Sequence, residues 1–278
     1  MNYKVIALGL LLIINVNLVK SQKLKLYYNL EFIKDTLKKS VENRKMVLLI
    51  EKQNYIFCTE DLLIKDSLKN NHLEYSPVIM DEEINFMIKK KDNVLSKYYL
   101  VNENLYTTNE NMLNLNWQIK NQIKTIDDIK CQLATLIYKG RNWEAWFSTK
   151  YSISYGPYIF HGLPGVIIEL RDTKSNYIFK LLQIKDTKED INRLINQPVW
   201  VDEKGLKINK EQLKKLYLTE YADPFRRMKE KKIIYMIDEK TGEKQPPPDF
   251  DKMTKSAQKY IRDTNNPIEL SEAIKYSK

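Results

Sequence analysis

The residues best suited to chemistry in this chain lie between Arg141 and Asp172. His161 is one of two histidines and sits in a stretch rich in glycine and proline, with Glu169 and Asp172 downstream. An imidazole working with carboxylates is the pattern of a general base, which would make the chain a hydrolase or a protease accessory. The plainer reading is a turn histidine bonded to backbone. Arg141 beside Trp143 and Trp146 has the makings of a cation–π cluster for an anionic or aromatic ligand, against the alternative that these rings anchor a core. Glu169 and Asp172 are three apart, so a strand points them to opposite faces, whereas Glu169 and Arg171 share a face and are placed to pair. With Tyr158, the candidate ligand- or partner-binding residues are Arg141, Trp143, Trp146, Tyr158, His161, Glu169 and Arg171.

Established catalytic signatures do not accompany them. The sequence has no serine nucleophile elbow, no His-Glu-x-x-His pair, no phosphate-cradling glycine loop and no dinucleotide fingerprint, so no catalytic residue and no cofactor are assigned. Cys58 and Cys131 are the only cysteines. In an oxidising compartment they are placed to form a disulfide, with two buried thiols as the equal alternative. With His72 and His161 they make a poor zinc set, and no metal is expected.

These side chains need elements to hold them. Leu24 to Tyr28 suits a first strand, and the apolar run from Val47 to Ile50 followed by Tyr55-Ile56-Phe57 makes Met46 to Thr59 one long strand or a pair. Glu60 to Asn71 reads as a loop, with a helix over Asp61 to Leu68 as the alternative. Short β-prone pieces follow at Ile84 to Lys89, Tyr98 to Val101, Leu105 to Thr108, Leu115 to Ile119 and Leu133 to Tyr138, separated by polar turns in the manner of an antiparallel meander. In Trp143 to Ser148 both faces carry an aromatic, so one enters a core and Trp146 packs elsewhere.

The stretch Gly156 to Asp172 concentrates the backbone punctuation. Gly156-Pro157 breaks the preceding segment, Tyr158 to Phe160 reads as extended, and Leu163-Pro164-Gly165-Val166 has the form of a type II turn with positive φ at Gly165. Gly156, Pro157, Gly162, Pro164 and Gly165 are therefore structural turn residues, with Val166 to Leu170 and Tyr177 to Ile184 as strands behind them. After Lys185 the period becomes helical at Ile191, Leu194 and Ile195 and again at Leu213, Leu216 and Tyr217, where Asn209 is placed to cap a helix that Asp223-Pro224 ends. Arg226 to Lys232 reads as a solvated basic helix face, with a partner-binding strip as the rarer alternative. Gln245 to Pro248 is a stiff connector, and the segment through Asn266-Pro267-Ile268-Glu269-Leu270 reads as a partly ordered tail.

The N-terminus reads as an export signal over residues 1–21, with Lys4 before the apolar run Val5 to Ile14 and short residues around Val19-Lys20-Ser21. The run is short for a membrane span, and none is expected in the mature chain. Hydrophobic residues at 43% fit a globular protein. The net charge of +10 is diffuse and lysine-dominated, so nucleic acid is not expected as a partner.

Three ordered segments, Cys131-Gln132-Leu133-Ala134-Thr135, Gly140 to Phe147 and Gly156 to Ile167, together resemble the GLPGLI family, whose name motif stands here as Gly-Leu-Pro-Gly-Val-Ile. The resemblance is strongest over residues 117–185 and extends to the Asn-Pro-Ile-Glu-Leu segment. It implies an exported protein of a bacterium with an outer membrane, in a family without an established activity. The expected fold is α+β: a mainly antiparallel, curved sheet, a half-barrel or open barrel similar to periplasmic lipoprotein carriers, with C-terminal helices. Residues 22–245 form its single domain, with helices after residue 186, and 246–278 the connector and tail. The expected role is a binding, carrier or accessory protein of the envelope, periplasmic, outer-membrane-associated or extracellular. Its expected partners are an outer-membrane transporter or a lipid, peptide or lipoprotein cargo, and a purely structural envelope protein is a further alternative.

Overall fold

The computed structural model describes residues 23–73, 86–197, 205–230, 236–238, 240–245 and 248–277. The signal stretch, Ile84 and Asn85, and Pro246 and Pro247 of the connector lie outside these residues.

The chain runs β1 (Lys23–Ile33), β2 (Val41–Glu51), β3 (Asn54–Thr59), α1 (Glu60–Asn70), β4 (Ile88–Lys91), β5 (Val94–Val101), β6 (Asn104–Asn111), β7 (Gln118–Ile126), β8 (Ile129–Tyr138), β9 (Arg141–Ser148), β10 (Val166–Asp172) and β11 (Tyr177–Asp186). It continues with α2 (Ile191–Asn196), β12 (Leu206–Lys207), α3 (Lys210–Ala222), α4 (Arg226–Glu230), β13 (Met236–Ile237), β14 (Lys244–Gln245) and α5 (Phe250–Asp263), then a 3-10 turn at Leu270–Glu272. Twelve strands form one open, curved sheet in the order β12-β6-β5-β4-β3-β2-β1-β11-β10-β9-β8-β7. Every pairing is antiparallel except β12 with β6. This is the α+β open sheet with helices that the strand pattern predicts.

Alternation along the central strands builds two cores. Leu26, Tyr28, Leu30, Met46, Leu48, Tyr55 and Phe57 face the inner core, while Val47, Leu49, Ile56 and Cys58 face the other way. A strand apolar on both faces must be covered on both. On the outer side α1 supplies Leu62 and Leu63, and α2 supplies Ile191, Leu194 and Ile195. On the inner side the loop between β9 and β10 folds back, burying Tyr158, Ile159, Phe160 and Leu163.

Residues 60–70 and the C-terminal tail differ from the first sequence expectation, while the Met46–Thr59 pair and the helix capped by Asn209 follow it. Residues 60–70 are helical rather than a loop: Thr59 caps the helix by accepting from the Leu62 N–H at 3.4 Å, and Glu60 and Asp61 sit in the first turn, where the helix dipole favours acids. Met46 to Thr59 is a hairpin, turned where Lys52 takes φ 57°. The helix after Asn209 has a full capping box with Gln212 and ends at Ala222, before Pro224. The tail is ordered into the core, with Asn266, Ile268 and Glu269 buried.

Candidate functional site

The turn at Lys139-Gly140, the β9–β10 loop and the C-terminal segment meet at one end of the inner core. Arg141 is 4% exposed. Its guanidinium donates to Asp172 Oδ2 at 3.0 Å, the Ile268 carbonyl at 3.0 Å, Asn266 Oδ1 at 2.7 Å and the Pro267 carbonyl at 2.7 Å. A buried guanidinium must find acceptors, and the C-terminal segment supplies three of these four; that demand is why the segment does not trail into solvent. Glu269 is then held by Lys97 of β5 and by Tyr158, whose hydroxyl donates to Oε1 at 3.1 Å. Lys97 also meets Glu110 at 2.6 Å, and Lys210 joins Glu110 at 3.1 Å to Glu272 at 2.5 Å. Burial raises the Glu269 pKa against the pull of Lys97. Burial works the same way on Glu272, but hydrogen bonds from Lys139 and Lys210 hold it down at about 2.

The proposed cation–π cluster is not formed. Arg141 lies over Tyr177 at 4.8 Å, Trp143 is buried against Phe160 with ring centroids 4.6 Å apart, and Trp146 faces outward under Lys124 at 4.4 Å. Glu169 and Arg171 do not pair either. Arg171 takes Glu144, its directly opposite neighbour on β9, at 3.1 Å, and Glu169 takes Lys124, which reaches from β7 over the Trp146 ring, at 3.2 Å. Asp172 is spent on Arg141, Asn176 and the Tyr177 N–H. The carboxylates expected to serve His161 thus have other partners. Cys58 on β3 and Cys131 on β8 are free thiols in the two different cores, so the disulfide alternative falls and the thiol alternative holds.

The turn chemistry differs from the expectation in an instructive way. Gly165 does not take a positive φ; the left-handed conformations fall at Gly162, φ 91°, and at Tyr158, φ 58°, so 158–160 is a tight turn rather than extended. It is closed by the Gly156 N–H to Phe160 carbonyl bond at 2.7 Å and a bridge between Tyr155 and His161. Gly165 is required for space: a Cβ there would stand 2.1 Å from the Ser148 carbonyl oxygen.

His161 and Tyr155 open onto a cleft of about 440 Å³ at the opposite end of the sheet, between the β2–β3 and β4–β5 turns. The Lys90 ammonium donates there to the Gln53 carbonyl and to the Asp92 carbonyl at 2.6 Å, tying the two turns together, and lies 5.6 Å from the Tyr155 ring. His161 Nδ1 donates to the Ile159 carbonyl at 2.9 Å, which leaves Nε2 as an acceptor. Burial lowers the His161 pKa against the opposing hydrogen bond to Ile159, and Lys90 lowers it further. The strap 112–117 crosses from β6 to the far edge strand β7, and Trp117 Nε1 donates to the His161 carbonyl at 2.8 Å. Tyr155, Lys90 and the strap were not among the candidates from sequence. Of these, only Tyr155, beside Gly156, carried any local signal.

Fold and cleft define a curved, open antiparallel-sheet protein with its inner core filled and a polar cleft at its mouth. No family model matches the chain, and no curated protein matches it. Among solved structures it is similar to PNGF-II in two crystal forms, C2 and P21, each 13% identical over 70% of this chain with a TM-score of 0.47. The chain spans about a third of the length of those structures (32% and 33%). It is also similar to the LolA superfamily protein NE2245 from Nitrosomonas europaea, 10% identical over 64% of this chain and 91% of that one, with a TM-score of 0.31. Likeness this low assigns no function. Among the described residues no helix is long and apolar enough to cross a membrane.

Proposed function

We propose that this chain is an exported envelope protein of the GLPGLI type that acts as a binding or accessory protein, meeting its ligand at the mouth cleft rather than enclosing it in the sheet. The motif segments that carry the family resemblance pack on one another through Arg141, Trp143, Phe160, Tyr158 and Glu269. Their buried side chains build the fold, which leaves His161 of the motifs, together with residues outside them, for ligand contact. The observation that carries the reading is the contrast between the two ends of the inner core. One end is sealed by the C-terminal segment, the interior is filled by Tyr158 to Leu163, and the mouth presents His161, Tyr155 and neighbouring polar side chains. A lipid or lipoprotein cargo would need the apolar space those side chains occupy, so a polar ligand or the polar part of a larger partner, such as an outer-membrane transporter, fits better.

Native mass spectrometry of protein purified from its own envelope tests this. The expected result is a co-purified species that is lost in Tyr155→Ala. A bound species indifferent to that substitution, or none at all, would overturn the proposal.

A further inference from the structure

The mouth cleft is lined mainly by polar side chains. The side chains of Gln53, Asn93, Asn114 and Ser154 form no intramolecular hydrogen bond among the described residues, and Nε2 of His161 is an unused acceptor. All four side chains are exposed, so they are available to a ligand in place of water. Among the described residues the one cation at the cleft, Lys90, is already taken by two carbonyl oxygens, and the Asp92 carboxylate shares the wall. That wall offers no unengaged positive charge to an anion. Nor does it suit an apolar ligand, since Met112 and the Tyr155 ring are its main apolar surfaces. No three side chains of metal-ligating type gather among the described residues. What remains is a set of polar groups: amides that donate and accept from one side chain, a hydroxyl, the Nε2 of His161 and an aromatic face. Vicinal hydroxyls present the complementary pattern, each both donor and acceptor, with a C–H face that lies on an aromatic ring. The cleft volume of about 440 Å³ falls within the range of small-molecule sites, about 300–1,000 Å³.

We infer that the mouth cleft binds a neutral polyhydroxylated ligand, a sugar, with its hydroxyls on Asn93, Asn114 and His161 Nε2 and a ring face toward Tyr155. This rests on the mouth being the binding site and names what it takes. The full mature chain, labelled with ¹⁵N-histidine, is titrated with maltotriose, cellotriose, mannotriose and chitotriose, and with galacturonate, acetate and inorganic phosphate as charged probes. The exposed His72 serves as the internal reference. The expected result is a saturable shift of the His161 Nε2 resonance by at least one neutral sugar, with His72 unmoved. Affinity falls at least tenfold in Asn114→Ala and Tyr155→Ala, and the melting temperature of the exposed Asn114→Ala variant stays unchanged. A shift produced only by the charged probes overturns the neutral class and leaves the mouth as a binding site. If no probe moves His161 while the co-purified species still depends on Tyr155, the sugar assignment fails and the binding reading survives. If neither is seen, both fail.

Discussion

Arg141 Nη2 donates to Asn266 Oδ1 at 2.7 Å, joining the start of β9 to a residue 125 positions later in the chain. That bond fastens the C-terminal segment over one end of the sheet, and Tyr177, which donates to the Asn266 carbonyl at 2.7 Å, holds it from the other side. The segment belongs to the core as fully as a strand does.

Removing the guanidinium leaves Asp172 buried without its charge partner. Arg141→Ala is expected to cost about 3–5 kcal/mol, the range for breaking a buried pair from one side. Asn266→Ala is expected to cost about 1–2 kcal/mol, and the two together less than their sum, because both release the same segment. Urea unfolding gives the energies, and hydrogen exchange over residues 264–272 should speed up in both variants. Unchanged exchange there would mean that the bond does not hold the segment.

Two of the three glycines in the β9–β10 loop, Gly165 and Gly162, separate space from conformation. Gly165→Ala forces a Cβ into the Ser148 carbonyl, 2.1 Å away, so strand β10 must shift from β9, with a loss of about 3 kcal/mol or more. At Gly162 a Cβ meets nothing within 4 Å, and the cost is that of a left-handed residue, about 1–2 kcal/mol. Gly162→Asn should recover part of it. Equal losses at the two positions in thermal unfolding would contradict this division.

Lys89 makes stability depend on pH. Burial under α2 pushes its ammonium from the ordinary 10.5 down to about 8, despite the nearby Asp66 carboxylate, and its Nζ donates to the Gln197 carbonyl at 2.5 Å. Between about 8 and 10.5 the unfolded chain binds more protons than the folded one, so this residue's contribution to stability rises with pH through that window. Lys89→Met should be more stable than the wild type by about 2 kcal/mol at pH 7, with the gap closing by pH 10.5. Urea unfolding of both proteins at the two pH values checks the sign. A gap that stays constant would show that the ammonium is not destabilised by burial.

The cysteines should behave as two sheltered thiols. Burial pushes Cys58 up to about 12, which removes the reactive thiolate, and Cys131 is raised in the same direction for the same cause. Thiol titration without reductant should find both groups once the chain is unfolded in guanidinium, little reaction in the native state, and no change of melting temperature on adding dithiothreitol. Fewer than two thiols in the unfolded chain would mean that a bridge forms after all.

The sequence by itself determined the strand pattern, the antiparallel class, the helices after Lys185 and the importance of the Gly156 to Asp172 stretch. Alternation, turn residues and caps such as Asn209 act over a few residues and can be read locally. It also marked Gly165 as hard to replace, though for the wrong reason, because the close approach of Ser148 comes from β9. Only the tertiary structure decided which side chains share a place. The pleat that parts Trp143 from Trp146 was legible in the alternation, but the partners of Glu169 and Arg171 were not, since they come from β7 and β9. Arg141 was committed to the far end of the chain, and His161 was placed with Tyr155 and Lys90 at the mouth. Those outcomes depend on how twelve strands are ordered and curved, and on where a buried charge finds acceptors, which are long-range conditions that no local spacing records.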